Sequence, residues 1–138
     1  MLYSWVFVWQ RQGVKQDDFK ALKFYQKACD LNDSSGCYNL GFMYKEDKGV
    51  KQDNFKVVKF YQKACDLNYG SGCYFLGLMY EKGKGVKQDD FKALKFFQKA
   101  CDLNDGSGCS NLGLCMKKAK ALNKMISRHS SFTKRRVI

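Results

Sequence analysis

Six of the seven cysteines form three pairs with one spacing, and thiols arranged in this way could form disulfides, bind a metal or remain as thiols. The pairs are Cys29 with Cys37, Cys65 with Cys73, and Cys101 with Cys109. Zinc sites usually draw four ligands from Cys or His pairs that are two to four residues apart. Here the members of a pair are eight residues apart, and His129 is the only histidine. We therefore expect no metal site and no cofactor.

Disulfides within each pair are the interpretation that we favour, with buried thiols as the alternative. A disulfide that closes a loop of about nine residues stabilises a fold by roughly 2.5 kcal/mol in the chain-entropy model. Three such bonds would match the whole stability of a small domain, and they would form in an oxidising compartment. Buried thiols that pack as small apolar side chains would instead be expected in a reducing cytosol.

One further motif could perform nucleophilic chemistry. Ser131 and Lys134 fit the Ser-x-x-Lys pattern of serine β-lactamases, but the companion Ser-Asp-Asn and Lys-Thr-Gly signatures are absent. A four-residue match is common by chance. The sequence alone therefore assigns no catalytic residue.

The cysteine pairs lie in a repeat of 36 residues. Residues 13–48 and 49–84 are identical at 26 of 36 positions, and a third copy begins at Gly85. We divide the chain into a degenerate head (1–12), three repeats (13–48, 49–84 and 85–116) and a basic tail (117–138). A period of this length indicates a solenoid, in which single units cannot bury their apolar faces without neighbours.

Each repeat predicts two helices, so the fold class is all-α, a superhelix of about three helix-turn-helix units. The first helix should face inward with Phe19, Leu22, Tyr25, Ala28 and Cys29, which recur every three or four residues. After Asn32 and a Gly-containing turn, the second helix should bury a face that holds Cys37, Leu40, Gly41 and Tyr44. A glycine inside a helix costs stability unless a neighbour approaches closely. We therefore predict helix crossings at Gly41, Gly77 and Gly113.

The net charge of +12 comes mainly from the ends of the chain. Residues 13–114 hold 16 lysines and 13 acidic residues, whereas the tail holds eight basic residues and no acidic one. A basic groove along the repeats is therefore not indicated, and we expect no nucleic-acid partner. The interior of the chain also contains no apolar run of the roughly 18 residues that a membrane span needs.

Both ends depart from the repeat in a way that the genetic code can explain. Codons can be chosen for residues 115–138 so that a neighbouring reading frame spells a fourth repeat, and residues 9–12 can similarly hide the Gly-Lys-Gly-Lys loop. Our hypothesis is that the head and tail are out of frame and that this chain is an interior part of a longer secreted repeat protein. The nucleotide sequence would test it.

The repeated residues resemble a known family. Ala28-Cys29-Asp30-Leu31, Gly36-Cys37 and Leu40-Gly41-x-x-Tyr44, with the Gly-Lys-Gly-Val loop, are similar to the Sel-one-like repeat, a relative of the tetratricopeptide repeat. The paired cysteines resemble its secreted bacterial cysteine-rich branch. The resemblance covers about residues 13–114 and implies a right-handed α/α superhelix, one disulfide per repeat and a secreted or periplasmic location.

The same resemblance implies two possible functions. Members of the family are described as adaptors for peptides and proteins, and the cysteine-rich branch as penicillin-binding proteins or β-lactamases. We expect a scaffold that binds a peptide, a protein or a β-lactam on its concave surface, with β-lactam hydrolysis as the alternative. We also expect a monomer that tends to aggregate through its uncapped ends. The start of the chain, MLYSWVFVWQ, is not a recognisable signal peptide.

Overall fold

The computed structural model describes the backbone of residues 17–137 and the side chains of residues 17–129. This part of the chain is helical and contains no strand. The first helix, α1, covers residues 17–30 of the described chain. The helices that follow are α2 (Ser34–Lys45), α3 (Asn54–Asp66), α4 (Gly70–Lys82), α5 (Asp90–Asp102) and α6 (Gly106–Val137).

The turn between the two helices of a repeat is set by an asparagine and, in two repeats, by an aspartate. Asn32, Asn68 and Asn104 each adopt a left-handed conformation with φ 65°, as the sequence predicts for a helix exit. Asp33 then caps α2, because its carboxylate accepts hydrogen bonds from the amides of Ser35 and Gly36. The Ser35 hydroxyl also donates to Asp33, and these bonds hold the pKa of that carboxyl below its usual value.

A disulfide closes each of these hairpins, which confirms the expectation of one bond per repeat. The bonds join Cys29 to Cys37, Cys65 to Cys73, and Cys101 to Cys109, with Cα–Cα distances of 4.5, 4.6 and 4.4 Å. Neighbouring repeats contact each other through packing and through hydrogen bonds, such as the one that Lys63 Nζ donates to the Cys29 carbonyl oxygen. The loop before α5 contacts the preceding repeat at Gly85, where φ is 72° and a Cβ would collide with the carbonyl oxygen of Asn54. Only glycine fits this position without strain.

The last helix is different from the other five. α6 has 32 residues and runs through the predicted boundary between residues 116 and 117 without a break. Its first turns pack on α5, but the described side chains from Met116 to His129 are all exposed. Among the described residues, no helix is both long enough and apolar enough to cross a membrane.

Candidate binding surface

The buried stripe of the first helix does not include the phenylalanine that we predicted to face inward. In α3 the fully buried residues are Val57, Tyr61, Ala64 and Cys65. Phe19, which we expected to face inward, is 50% exposed. An α-helix turns by about 100° per residue, so this phenylalanine lies about 120° around the helix axis from the tyrosine six residues later. It therefore does not share the face of the buried stripe. The inward assignment of Phe19 is therefore wrong.

The misassigned position forms a row of exposed aromatic rings. Phe19, Phe55 and Phe91 are 36 residues apart, and their exposed fractions are 50%, 78% and 66%. Lysine ammonium groups lie near two of these rings, with Lys23 4.6 Å from the Phe19 centroid and Lys95 4.8 Å from the Phe91 centroid. We call these three phenylalanines the aromatic row. Their recurrence is visible in the sequence, but the spacing of apolar residues predicts that this position is buried.

Two open clefts lie at the described loops between repeats, and each is lined by the lysine that follows a phenylalanine of the row in sequence, Lys56 or Lys92. Each cleft is lined by a tyrosine, a valine, two lysines, a glutamine and the aspartate that caps the next helix. The first, of about 320 Å³, is lined by Tyr44, Val50, Lys51, Gln52, Asp53 and Lys56; the second, of about 550 Å³, is lined by Tyr80, Val86, Lys87, Gln88, Asp89 and Lys92.

A lysine and the tyrosine form the same contact in both clefts. Lys56 Nζ lies 5.0 Å from the centroid of Tyr44, and Lys92 Nζ lies 5.5 Å from that of Tyr80. The cleft aspartates are occupied by helix capping, since Asp53 accepts bonds from two backbone amides and Asp89 from one. Each cleft also presents two lysine ammonium groups, which are the groups in it that could pair with a carboxylate.

Two of the three predicted glycine contacts lie at tightly packed helix crossings. A Cβ on Gly41 would lie 2.9 Å from the Tyr61 ring, and a Cβ on Gly77 would lie 2.6 Å from the Phe97 ring. At Gly113 a Cβ would meet no atom within 4 Å. Among the described residues no helix packs on Gly113, and α6 continues past it without a break to Val137.

The interior between the first two repeats is rich in tyrosine. Tyr61 is fully buried, and its ring lies 5.5 Å from that of Tyr38 and 5.6 Å from that of Phe75. Burial raises the pKa of Tyr61, and the nearby Tyr38 and Glu46 raise it further. Burial likewise raises the pKa of Tyr38, with Tyr69 and Asp105 adding to the effect. These hydroxyls therefore stay protonated and act as packing groups.

The remaining candidates do not come together as a catalytic centre in the described part of the chain. Residues 17–129 contain no group of three or more His, Cys, Asp or Glu side chains that could hold a metal. Cys115 carries a free thiol whose pKa is raised by burial and by Glu81. The side chain of Ser131 lies outside the described residues.

Comparison with known proteins decides the family. The Sel1 repeat model matches residues 7–33, 34–69 and 70–105, which together make up more than half of the chain. The chain belongs to the Sel1 repeat family. The second and third matched units begin at the first residues of α2 and α4, so the family's repeat boundaries differ in phase from the divisions that we drew at 49 and 85.

Among solved Sel1-type structures, the chain is 42% identical to the Helicobacter pylori cysteine rich protein B, with a TM-score of 0.64, covering 66% of this chain and 68% of that one. It is 34% identical to a Sel1 repeat protein from Oxalobacter formigenes, with a TM-score of 0.68, covering 77% of this chain and 43% of that one. Both likenesses support the solenoid fold.

A curated relative from Helicobacter pylori strain J99 has the name "Putative beta-lactamase HcpC". It is 51% identical to this chain over 34 residues, which is 24% of this chain and 12% of the relative. The chain thus matches about an eighth of that protein's length. The three disulfides and this likeness indicate an extracytoplasmic Sel1 repeat protein.

Proposed function

We propose that this Sel1 repeat chain is a non-enzymatic scaffold, secreted or periplasmic, that binds an extended peptide or an extended segment of a protein. The observation that carries the proposal is the aromatic row, because three large apolar rings stay exposed at one position of successive repeats. Exposed apolar groups that recur on a surface often mark a site of protein contact. Aromatic side chains also supply much of the binding energy in such contacts.

The clefts at the loops between repeats indicate which kind of peptide the chain would bind. Lys51 and Lys56 line one cleft, and Lys87 and Lys92 line the other. The clefts also lie at the amino-terminal ends of α3 and α5, where the helix dipole favours negative charge. We therefore expect a segment in which apolar side chains alternate with carboxylates, the apolar groups contacting the row and the carboxylates entering the clefts.

A displayed library of random dodecapeptides, selected on the oxidised chain, would test this proposal. The selected peptides should be enriched in apolar and acidic residues, and calorimetry should show that Phe55→Ser weakens their binding by at least about tenfold. The matched control is Leu31→Ser, since Leu31 is 74% exposed, similar to the 78% of Phe55, but lies outside the row. The control should change affinity less than about twofold.

Two outcomes would contradict the scaffold proposal. One is a library from which no peptide is enriched above background. The other is an equal loss of affinity in Phe55→Ser and Leu31→Ser, because binding would then not depend on the row. Circular dichroism of both variants would show whether a loss of affinity comes from unfolding, and both exposed positions should tolerate serine.

Hydrolysis of β-lactams is the second candidate, and the name of the HcpC relatives is the observation that favours it. Such hydrolysis needs a nucleophile or activated water, a base and an oxyanion site at one place. A chromogenic cephalosporin separates the two functions. We expect no turnover above that of the reduced, unfolded chain. A rate that saturates with substrate and scales with the amount of folded protein would instead establish the enzyme.

A further inference from the structure

The solenoid has one kind of interface between repeats, and it occurs twice within the chain. The second helix of one repeat receives the first helix of the next, as α2 receives α3 and α4 receives α5. In each case the aromatic ring of the incoming helix fills the space above a glycine, Tyr61 above Gly41 and Phe97 above Gly77. We call this space the glycine notch.

α6 carries the receiving half of this interface, and none of the described residues packs in its notch. Gly113 stands where Gly41 and Gly77 stand in the earlier repeats, and a Cβ on it would meet no atom within 4 Å. Leu114 and Met116 beside it are 57% and 59% exposed. α6 keeps the sequence that surrounds the notch in α4. Residues 106–109 are identical to 70–73, and residues 112–114 are identical to 76–78.

α1 carries the incoming half of the same interface. Its sequence over residues 18–30 differs from that of α5 over 90–102 at one position, where Tyr25 corresponds to Phe97. Phe24 corresponds to Phe60, which stacks on Tyr44 and is only 7% exposed. Phe24 itself is 71% exposed. The ring that should be buried against a preceding helix is therefore open to solvent.

We propose that α1 of one copy of this chain docks in the open notch of α6 of a second copy. Tyr25 would lie over Gly113 of the second copy, and Phe24 would contact its Met116. A methionine in place of the earlier tyrosine can still pack favourably on an aromatic ring. Because the two halves lie at opposite ends of the array, this contact is heterologous, and further copies add in the same direction without closing.

The charges of α1 and α6 favour the same alignment of the two helices. Within the chain the incoming helix begins beside the end of the receiving one, as the hydrogen bond from the Asp89 amide to the Tyr80 carbonyl shows. By the same register, Asp17 of one copy would approach residue 116 of the next. Basic residues follow there, with Lys117, Lys118 and Lys120 and no acidic residue between them. Opposite charges at this junction favour the head-to-tail pairing.

Sedimentation velocity of the oxidised chain across a range of concentrations would test the proposal. All samples carry Cys115→Ser, so that no intermolecular disulfide forms. The weight-average mass should rise continuously with concentration, without stopping at two copies. Gly113→Tyr, which fills the notch, and Phe24→Lys, which adds a charge to the incoming face, should each weaken association at least about tenfold. Met125→Ser, at a residue of α6 that is 68% exposed and lies outside both the notch and the aromatic row, should leave association unchanged.

A mixture of the two end variants provides the decisive measurement. Gly113→Tyr keeps an intact α1 face and Phe24→Lys keeps an intact α6 face, so together they should form a one-to-one dimer that cannot grow. The proposal is overturned by a chain that stays monomeric, by a closed dimer of the parent chain, by a mixture that does not pair, or by equal weakening in Met125→Ser.

Discussion

Single residues explain why the repeats are close copies but are not interchangeable. Tyr61 and Phe97 occupy the same notch position in successive repeats, and both are fully buried. The Tyr61 hydroxyl has no hydrogen-bond partner among the described residues. A buried hydroxyl without a partner costs about 1–3 kcal/mol, so the third repeat carries the more favourable residue.

Exchanging these two residues should therefore change stability in opposite directions. Tyr61→Phe should raise the free energy of unfolding by about 1 kcal/mol, because it removes the unpaired hydroxyl and keeps the ring. Phe97→Tyr should lower it by about 1–3 kcal/mol. Urea titrations followed by circular dichroism would measure both. A loss of stability in Tyr61→Phe would mean that the hydroxyl has a partner, for instance a bound water.

At the scale of helices, three glycines at one repeat position have different surroundings. Gly77 lies against the buried ring of Phe97, whereas Gly113 faces open space. The intrinsic preference of a helix for alanine over glycine is the same at both sites, about 1 kcal/mol. Packing therefore decides whether alanine raises or lowers the free energy of unfolding at each position.

Alanine at these two positions should show this difference. Gly77→Ala should lower the free energy of unfolding by about 1–3 kcal/mol, since the added Cβ would lie 2.6 Å from a ring that cannot move freely. Gly113→Ala should raise it by up to about 1 kcal/mol. Thermal and urea unfolding of the two variants would be compared at a protein concentration where the parent chain is monomeric. Equal effects would contradict the notch geometry.

The three hairpins also differ in how their disulfides are covered. The sulfur-bearing residues of the first two bonds are buried, with exposures of 0–1% for Cys29, Cys37, Cys65 and Cys73. In the third hairpin Cys109 is exposed. The reason is that the next repeat covers each of the first two bonds, whereas none of the described residues forms a repeat that covers the third.

The Cys101–Cys109 bond should thus be reduced first. Thiol–disulfide exchange requires that the attacking thiolate reach a sulfur atom, so limited dithiothreitol should open this bond at least about tenfold faster than the other two. Alkylation of the released thiols followed by peptide mass spectrometry would identify the order. Simultaneous reduction of all three bonds would show that the chain unfolds before any bond is attacked.

For the molecule as a whole, burial decreases from the centre towards the carboxyl end. The core clusters centre on α3, α4 and α5, whereas α6 beyond Cys115 buries none of its described side chains. A helix without tertiary contacts depends on its intrinsic propensity and is marginal in water. Local stability should follow this gradient.

Hydrogen exchange measured by mass spectrometry would reveal the gradient. Amides of α3 and α4 should exchange slowest, by at least about a hundredfold relative to those after residue 116, where opening costs little free energy. Self-association would slow the exchange of amides only in α1 and the first turns of α6, and this effect would grow with protein concentration. Measurements at several concentrations therefore separate it from the gradient. Uniform protection along α6 would contradict the gradient.

Repetition made most of this architecture predictable from sequence. The helix pairs, the left-handed asparagine turns and the disulfides all follow from patterns that recur three times, and each is confirmed. The aromatic row was misplaced because an apolar ring was assumed to be buried, although Phe19 lies off the buried stripe. The sequence predicts a helix crossing at Gly113 because this residue occupies the same repeat position as Gly41. A crossing requires a second helix, and the described residues after Gly113 do not supply one.

Disulfide-linked and noncovalently packed helix pairs alternate along the chain, and this alternation decides how the molecule responds to a pulling force. Disulfides hold α1 to α2, α3 to α4, and α5 to α6, whereas α2 and α3, and α4 and α5, are held together by noncovalent contacts that include the packing in the notches. A force that pulls on the two ends would separate the molecule at the notches and leave three intact hairpins. Its extension would then be set by the short loops between hairpins, so the oxidised chain behaves as jointed, stiff segments.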